Sequence, residues 1–207
     1  MTWSAEAERL AREVISRYPR KRSATMPLLY IAMRENGYLT EDGMRRVAEL
    51  TDTTPAQVQA VASFYTMYKR QSPGEYLVSV CTSISCWLLG GDDVLHAAED
   101  EVGAPAGAVD AEGLITVEHV ECIGACGGAP AAQVNYEMVE GLTPEKARDL
   151  IEWLRKARPD VINTDELQTL FGGRKSFDWG IPETDGATGP YPAFQAYGNV
   201  GSVGSDS

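Results

Sequence analysis

The four cysteines of the chain stand as two pairs, Cys81 and Cys86 in CTSISC and Cys122 and Cys126 in CIGAC, each following an apolar, β-branched run. Thiols so spaced admit four chemistries: a dithiol redox couple, two disulfides, a zinc site, or the cage of an iron-sulfur cluster. A thioredoxin-type dithiol uses two intervening residues, and both gaps here are longer. Structural zinc accepts paired cysteines at close spacing, so zinc stays open on spacing alone. The surrounding residues favour a cluster with inorganic sulfur. Ser83, Ser85, Gly124, Ala125, Gly127 and Gly128 are small, which lets backbone wrap closely and turn N–H groups toward sulfur. A [2Fe-2S] cluster on four thiolates is already anionic when oxidised, and an added electron meets Glu118 and Glu121 close by. A low-potential, one-electron site is therefore expected. His96 and His119 read as surface or outer residues, because four thiols complete a ligand set.

Two neighbouring strand ends in one sheet bring their following loops together at the same edge, and that is where four thiolates could converge. The sequence supplies such strands. GEYLVSV, 74–80, is extended and stops at Cys81, and GLITVEHV, 113–120, leads to the second pair. Between them a helix is predicted from Ser85 or Cys86 to about Val102, anchored by Trp87, Leu88 and Leu89. A third strand, AAQVNYEMV, follows the second pair. Thr143 then caps PEKARDLIEWLRKAR, with Pro144 at the first helical position and Leu150, Ile151 and Leu154 as the buried stripe.

Upstream the pattern is helical. Ala7, Leu10, Ala11, Val14 and Ile15 share a stripe that ends at Tyr18-Pro19. A second helix is predicted from about Ala24 to Glu35, with Asn36-Gly37 as its stop. Thr40 caps EDGMRRVAEL, and Thr54 with Pro55 opens AQVQAVASFYTMYKR, in which Phe64, Tyr65, Met67 and Tyr68 are core or interface residues. The fold class expected is α+β: an N-terminal helical bundle, 1–73, a sheet domain of thioredoxin-like size, 74–158, and an extended tail, 159–207. The tail shifts to Gly, Pro, Ser and Asp and shows no helical or strand period. Its aromatics, Phe171, Phe177, Trp179, Tyr191, Phe194 and Tyr197, suggest either disorder or a segment laid along a partner.

The N-terminus lacks a signal pattern, and no run approaches the ~18 apolar residues of a membrane span, so a cytoplasmic chain is expected, where stable disulfides are rare. The net charge of −12 argues against nucleic acid as a general partner. Residues 1–74 hold 11 Lys+Arg against 8 Asp+Glu and the remainder 7 against 22, so the two parts differ in surface. The cadence of LTEDGMRRVAELTDTTPAQVQAVASFY admits a DNA-binding iron-sulfur regulator. Such a reading needs basic side chains on the second helix, and Thr54 to Tyr65 holds none. Arg17, Arg20, Lys21 and Arg22 form a basic turn, either a solvated loop or a contact for an acidic subunit.

VSVCTSISCWLLGG and GLITVEHVECIGACGGAPAAQVN, with FYTMY upstream and LTPEKARDLIEWL downstream, resemble the thioredoxin-like [2Fe-2S] subunit of respiratory complex I. That is the E subunit of bacterial NADH:quinone oxidoreductase, and the likeness covers about residues 5–157. It implies one [2Fe-2S] cluster on Cys81, Cys86, Cys122 and Cys126, exchanging single electrons with the flavin of a partner. FMN and NADH would belong to that flavin- and NADH-binding subunit, with another iron-sulfur subunit as neighbour and the chain on the cytoplasmic peripheral arm of a membrane-bound complex. The equivalent subunit of an NAD-reducing hydrogenase or formate dehydrogenase uses the same module. Two departures stand out: Ser85 replaces a residue that is often proline in relatives, and QVNYEMVEGLT differs from the Asn-Asp pattern expected after the third strand.

Overall fold

A computed structural model describes residues 3–176 and 186–191. The described residues fall into two compact units that meet in sequence at Ser72 and Pro73.

The first unit is helical: α1 (Ala5–Ser16), α2 (Thr25–Asn36), α3 (Glu41–Leu50) and α4 (Pro55–Phe64). Each start has a chemical reason. The Ser4 and Thr40 side chains accept N–H groups of the first turns of α1 and α3, and Thr54 with Gln57 makes a reciprocal capping box ahead of Pro55. Gly37 ends α2 in the left-handed region. Ala7, Ala11 and Val14 are the buried part of the α1 stripe, whereas Leu10 and Ile15 are half-buried. The basic turn is in part a 3₁₀ turn, Lys21–Ala24, with Lys21 paired to Asp52 at 3.0 Å. α4 stops at Phe64, short of the expected end, and Phe64 is exposed. Tyr68 is buried instead, and its hydroxyl donates to the Met26 carbonyl at 2.9 Å.

The second unit is built on a four-stranded sheet of order β2-β1-β3-β4, with β1 (Tyr76–Cys81), β2 (Ile115–Val120), β3 (Ala131–Val134) and β4 (Glu137–Glu140). β1 is central and every residue of it is buried, as its near-continuous apolar run requires. It pairs in parallel with β2, Cys81 opposite Val120, and antiparallel with β3. The crossover from β1 to β2 carries α5 (Ile84–Leu88) and α6 (Gly91–Val102). α7 (Pro144–Ala157), capped by Thr143, packs along α6 through Ala147, Leu150, Ile151 and Leu154. Arg155 of α7 donates to the Glu101 and Val102 carbonyls, both at 2.7 Å, at the C-terminal end of α6.

Three expectations change. The single helix from Ser85 or Cys86 to Val102 is two helices, because Gly90 takes φ +92° and turns the chain between them. The single third strand is a hairpin: Asn135 and Tyr136 both have positive φ, and Asn135 fixes the turn by accepting from Leu77 N–H and donating to the Glu75 carbonyl. The segment after Pro159 is neither wholly irregular nor wholly free. It forms α8 (Thr164–Leu170), capped by Asn163 and packed on β4, and Ile162, Leu167 and Phe171 join the main core. Phe171 lies against Trp153 with ring centroids 5.4 Å apart, so it anchors its own unit. Phe177, Trp179, Phe194 and Tyr197 lie outside the described residues.

Candidate metal centre

β1 and β2 run in parallel, so their C-terminal ends open at one edge of the sheet, and both cysteine pairs lie there. Cys81 is the last residue of β1 and Cys86 falls inside α5, one turn further on. Both are buried, in an apolar nest with Ala125, Ala129 and Ala131. Cys122 and Cys126 flank the loop after β2 and are exposed, with their sulfurs 3.4 Å apart. The loop folds back on the first pair, since Ala125 and Ile123, which lie between the second pair, pack in the same nest as Cys81 and Cys86. Gly124, at φ +88°, makes the turn that this reversal needs.

A glycine that the sequence reading does not single out, Gly91, sits against the first cysteine pair. A Cβ on Gly91 would lie 2.9 Å from the Cys81 carbonyl oxygen and 2.9 Å from the Cys86 carbonyl, so only glycine lets α6 start so close to the first pair. Ser83 donates to Glu121 at 2.9 Å, tying the first cysteine loop to the second, and Ser79 donates to Glu118 at 2.8 Å between β1 and β2. Glu118 and Glu121 therefore act as struts between the loops and strands as well as charges. His96 and His119 are exposed. Trp87, Leu88 and Leu89 do not anchor α5 internally: with Ile84 they are 56–73% exposed and form an apolar crown beside Cys86.

The thiols feel one another electrostatically. Burial pushes Cys86 up to about 11, and Cys81 and Cys126 add to the effect, while the Ala131 N–H works against it. The Gly124 N–H, followed by Cys126, holds Cys122 below the ordinary thiol range. Cys122 holds Cys126 above that range, opposed by the Ser85 hydroxyl. Proline at position 85 would lack that hydroxyl, so the Ser85 side chain acts on the site directly. Among the described residues, no three His, Cys, Asp or Glu side chains are placed to hold a single ion in common. The donor set is two thiol pairs in small-residue loops, which fits a binuclear iron-sulfur cluster, a group that takes four thiolates over two irons.

The model of the thioredoxin-like [2Fe-2S] ferredoxin family matches residues 11–155. The chain belongs to that family. A [2Fe-2S] cluster is accordingly the cofactor of this ferredoxin. Among relatives, it is 44% identical over 149 residues to the E subunit of NADH-quinone oxidoreductase from Mycobacterium bovis, covering 72% of this chain and 59% of the relative. It thus spans less than two thirds of that longer protein. It is 37% identical over 149 residues to the protein of the same name from Rickettsia bellii, covering 70% of this chain and 89% of the relative. Among solved structures, NAD+-reducing [NiFe]-hydrogenase in the H2-reduced state matches with a TM-score of 0.58 and 21% identity, over 70% of this chain and 25% of that one. At that identity the likeness speaks for the fold alone.

One electrostatic feature of this ferredoxin is not carried by any motif. From Gln71 through Glu145 the sequence holds thirteen Asp and Glu and no Lys or Arg. The signal is visible only when the charge count is confined to the segment that builds the site.

Proposed function

We propose that the chain is the electron-transfer subunit of an NADH:quinone oxidoreductase, with Cys81, Cys86, Cys122 and Cys126 as the ligands of its [2Fe-2S] cluster. The observation that carries this reading is the gathering of both thiol pairs at one sheet edge in a chain that aligns along most of the Rickettsia bellii relative. When bound, such a cluster takes up and releases one electron at a time, whereas a hydride delivers two to a flavin.

The protein's own part is to hold, shield and present. Cys81 and Cys86 hold from a buried, apolar floor that excludes water, and Cys122 and Cys126 close the site from the solvent side. The Gly124 and Ala131 N–H groups supply donors toward sulfur. The carboxylates of Glu118 and Glu121, bonded to Ser79 and Ser83 beside the first cysteine loop, bias the site against additional negative charge, which favours a low potential. Ile84, Trp87, Leu88 and Leu89 offer an apolar face beside the thiols, and the acidic segment around them suits a partner with a basic rim. That partner is the flavin- and NADH-binding subunit, with FMN and NADH bound there, and an iron-sulfur subunit lies beside it. None of the described helices is long and apolar enough to cross a membrane. The chain belongs to the cytoplasmic peripheral arm of the complex.

Anaerobically purified protein should show visible absorption and, once reduced, an EPR signal of one spin per chain. Co-purified with the flavin subunit, it should be reduced by NADH. Trp87→Asp should weaken capture of that subunit and leave the absorption unchanged. Zinc in place of iron, with no visible absorption, would sink the cluster assignment, and wild-type capture by Trp87→Asp would sink the docking face.

A further inference from the structure

A carboxylate that none of these roles uses lies against the second cysteine loop. Glu140, the last residue of β4, is buried, and Ser176 grips both of its oxygens: the backbone N–H donates to Oε2 and the hydroxyl to Oε1. Donors on both oxygens suit the ionised form, which is acceptor-only. The carboxylate rests on Gly128, where a Cβ would come within 2.4 Å of Oε2. Ser176 rests on Gly127, where a Cβ would lie 2.9 Å from the serine Cβ. Gly127 and Gly128 are the two residues after Cys126. Three hydrogen bonds secure the assembly: Gly141 N–H to the Gly128 carbonyl at 2.6 Å, Gly173 N–H to the Glu140 carbonyl at 2.9 Å, and the Lys146 side-chain Nζ to the Gly172 carbonyl at 2.8 Å. The segment from Gly172 to Ser176 is thereby strapped to the loop that carries Cys126.

We infer that Glu140, gripped by Ser176, is a positioning residue for the Cys126 loop and a fixed negative charge that lowers the midpoint potential of the cluster held there. This rests on Cys126 being a ligand. A buried anion is poorly screened, so it raises the free energy of a site that gains a further negative charge. The Ser176 hydroxyl partly neutralises the same anion. The two side chains therefore act on the potential with opposite sign.

The test uses the full-length chain, reconstituted anaerobically with iron and sulfide, in wild-type, Glu140→Gln and Ser176→Ala forms. Iron and sulfide content and an EPR-monitored redox titration are the readouts. Cluster content is expected to match wild type in both variants, with the midpoint raised in Glu140→Gln and lowered in Ser176→Ala. An unchanged midpoint in both, or a shift of the same sign in both, overturns the inference. If Glu140→Gln does not fold, Ser176→Ala decides alone, and an unchanged or raised midpoint there overturns it. Full cluster retention in Cys126→Ser is a separate failure, which strikes the ligand assignment and leaves the strap in place.

Discussion

At the scale of single residues, the four thiols divide by surroundings. Cys81 and Cys86 are each 2% exposed among alanines, while Cys122 and Cys126 face solvent. Their substitution should separate two effects. In cluster-free protein, Cys86→Ser puts a hydroxyl into an apolar nest and should cost about 1–3 kcal/mol in urea unfolding. Cys122→Ser, at an exposed position, should stay within about 0.5 kcal/mol of wild type. Both should lose the cluster, as iron assay and visible absorption would record. Equal stabilities for the two cluster-free variants would contradict the burial difference. The thiols and the small residues between them were readable in the sequence, because spacing and side-chain size are local properties. The struts were not. Glu118 and Glu121 read only as nearby charges, since their bonds to Ser79 and Ser83 exist only once β1 and β2 lie side by side. Ser85 was readable as a departure from relatives, but that its hydroxyl acts on Cys126 depends on how the second loop folds back.

Among the elements, helix starts were the most readable features, since Thr40, Thr54 with Pro55, and Thr143 with Pro144 carry their capping chemistry in the sequence. Breaks inside apolar stretches were harder to see. CWLLGGDDVLHAAEDEV keeps a helical composition across Gly90, and AAQVNYEMV keeps a strand-like one across Asn135, yet each chain reverses or bends at a residue with positive φ. The break at Gly90 matters to the site because it delivers Gly91, and with it α6, against the first cysteine pair. Gly91→Ala forces a methyl group to within 2.9 Å of backbone that cannot swing away. A loss of about 1–3 kcal/mol is expected by thermal or urea unfolding, together with faster loss of visible absorption under a chelator. Wild-type stability and retention in this variant would mean that α6 can start further from the thiols than the structure places it.

For the molecule as a whole, the largest departure from the sequence reading is the segment after Pro159. A seven-residue helix set among Gly, Pro and Asp offers too little periodicity to stand out, but it inserts Ile162, Leu167 and Phe171 into the main core. Burying such side chains contributes roughly 1.5–3 kcal/mol each, so the three together approach the ~5–15 kcal/mol that holds a typical domain. A chain ended after Arg158 should therefore lose its cooperative calorimetric transition, although all four cysteines remain. A sharp transition near the wild-type temperature would return this segment to the status of an appendage. The uneven burial of the thiols also gives the site a direction. An oxidant, an alkylating reagent or a sulfur donor arriving from solvent meets Cys122 and Cys126 first and reaches Cys81 and Cys86 only beneath them. Damage and assembly thus share one entrance, and the strand-borne pair is the last part of the cage to be attacked.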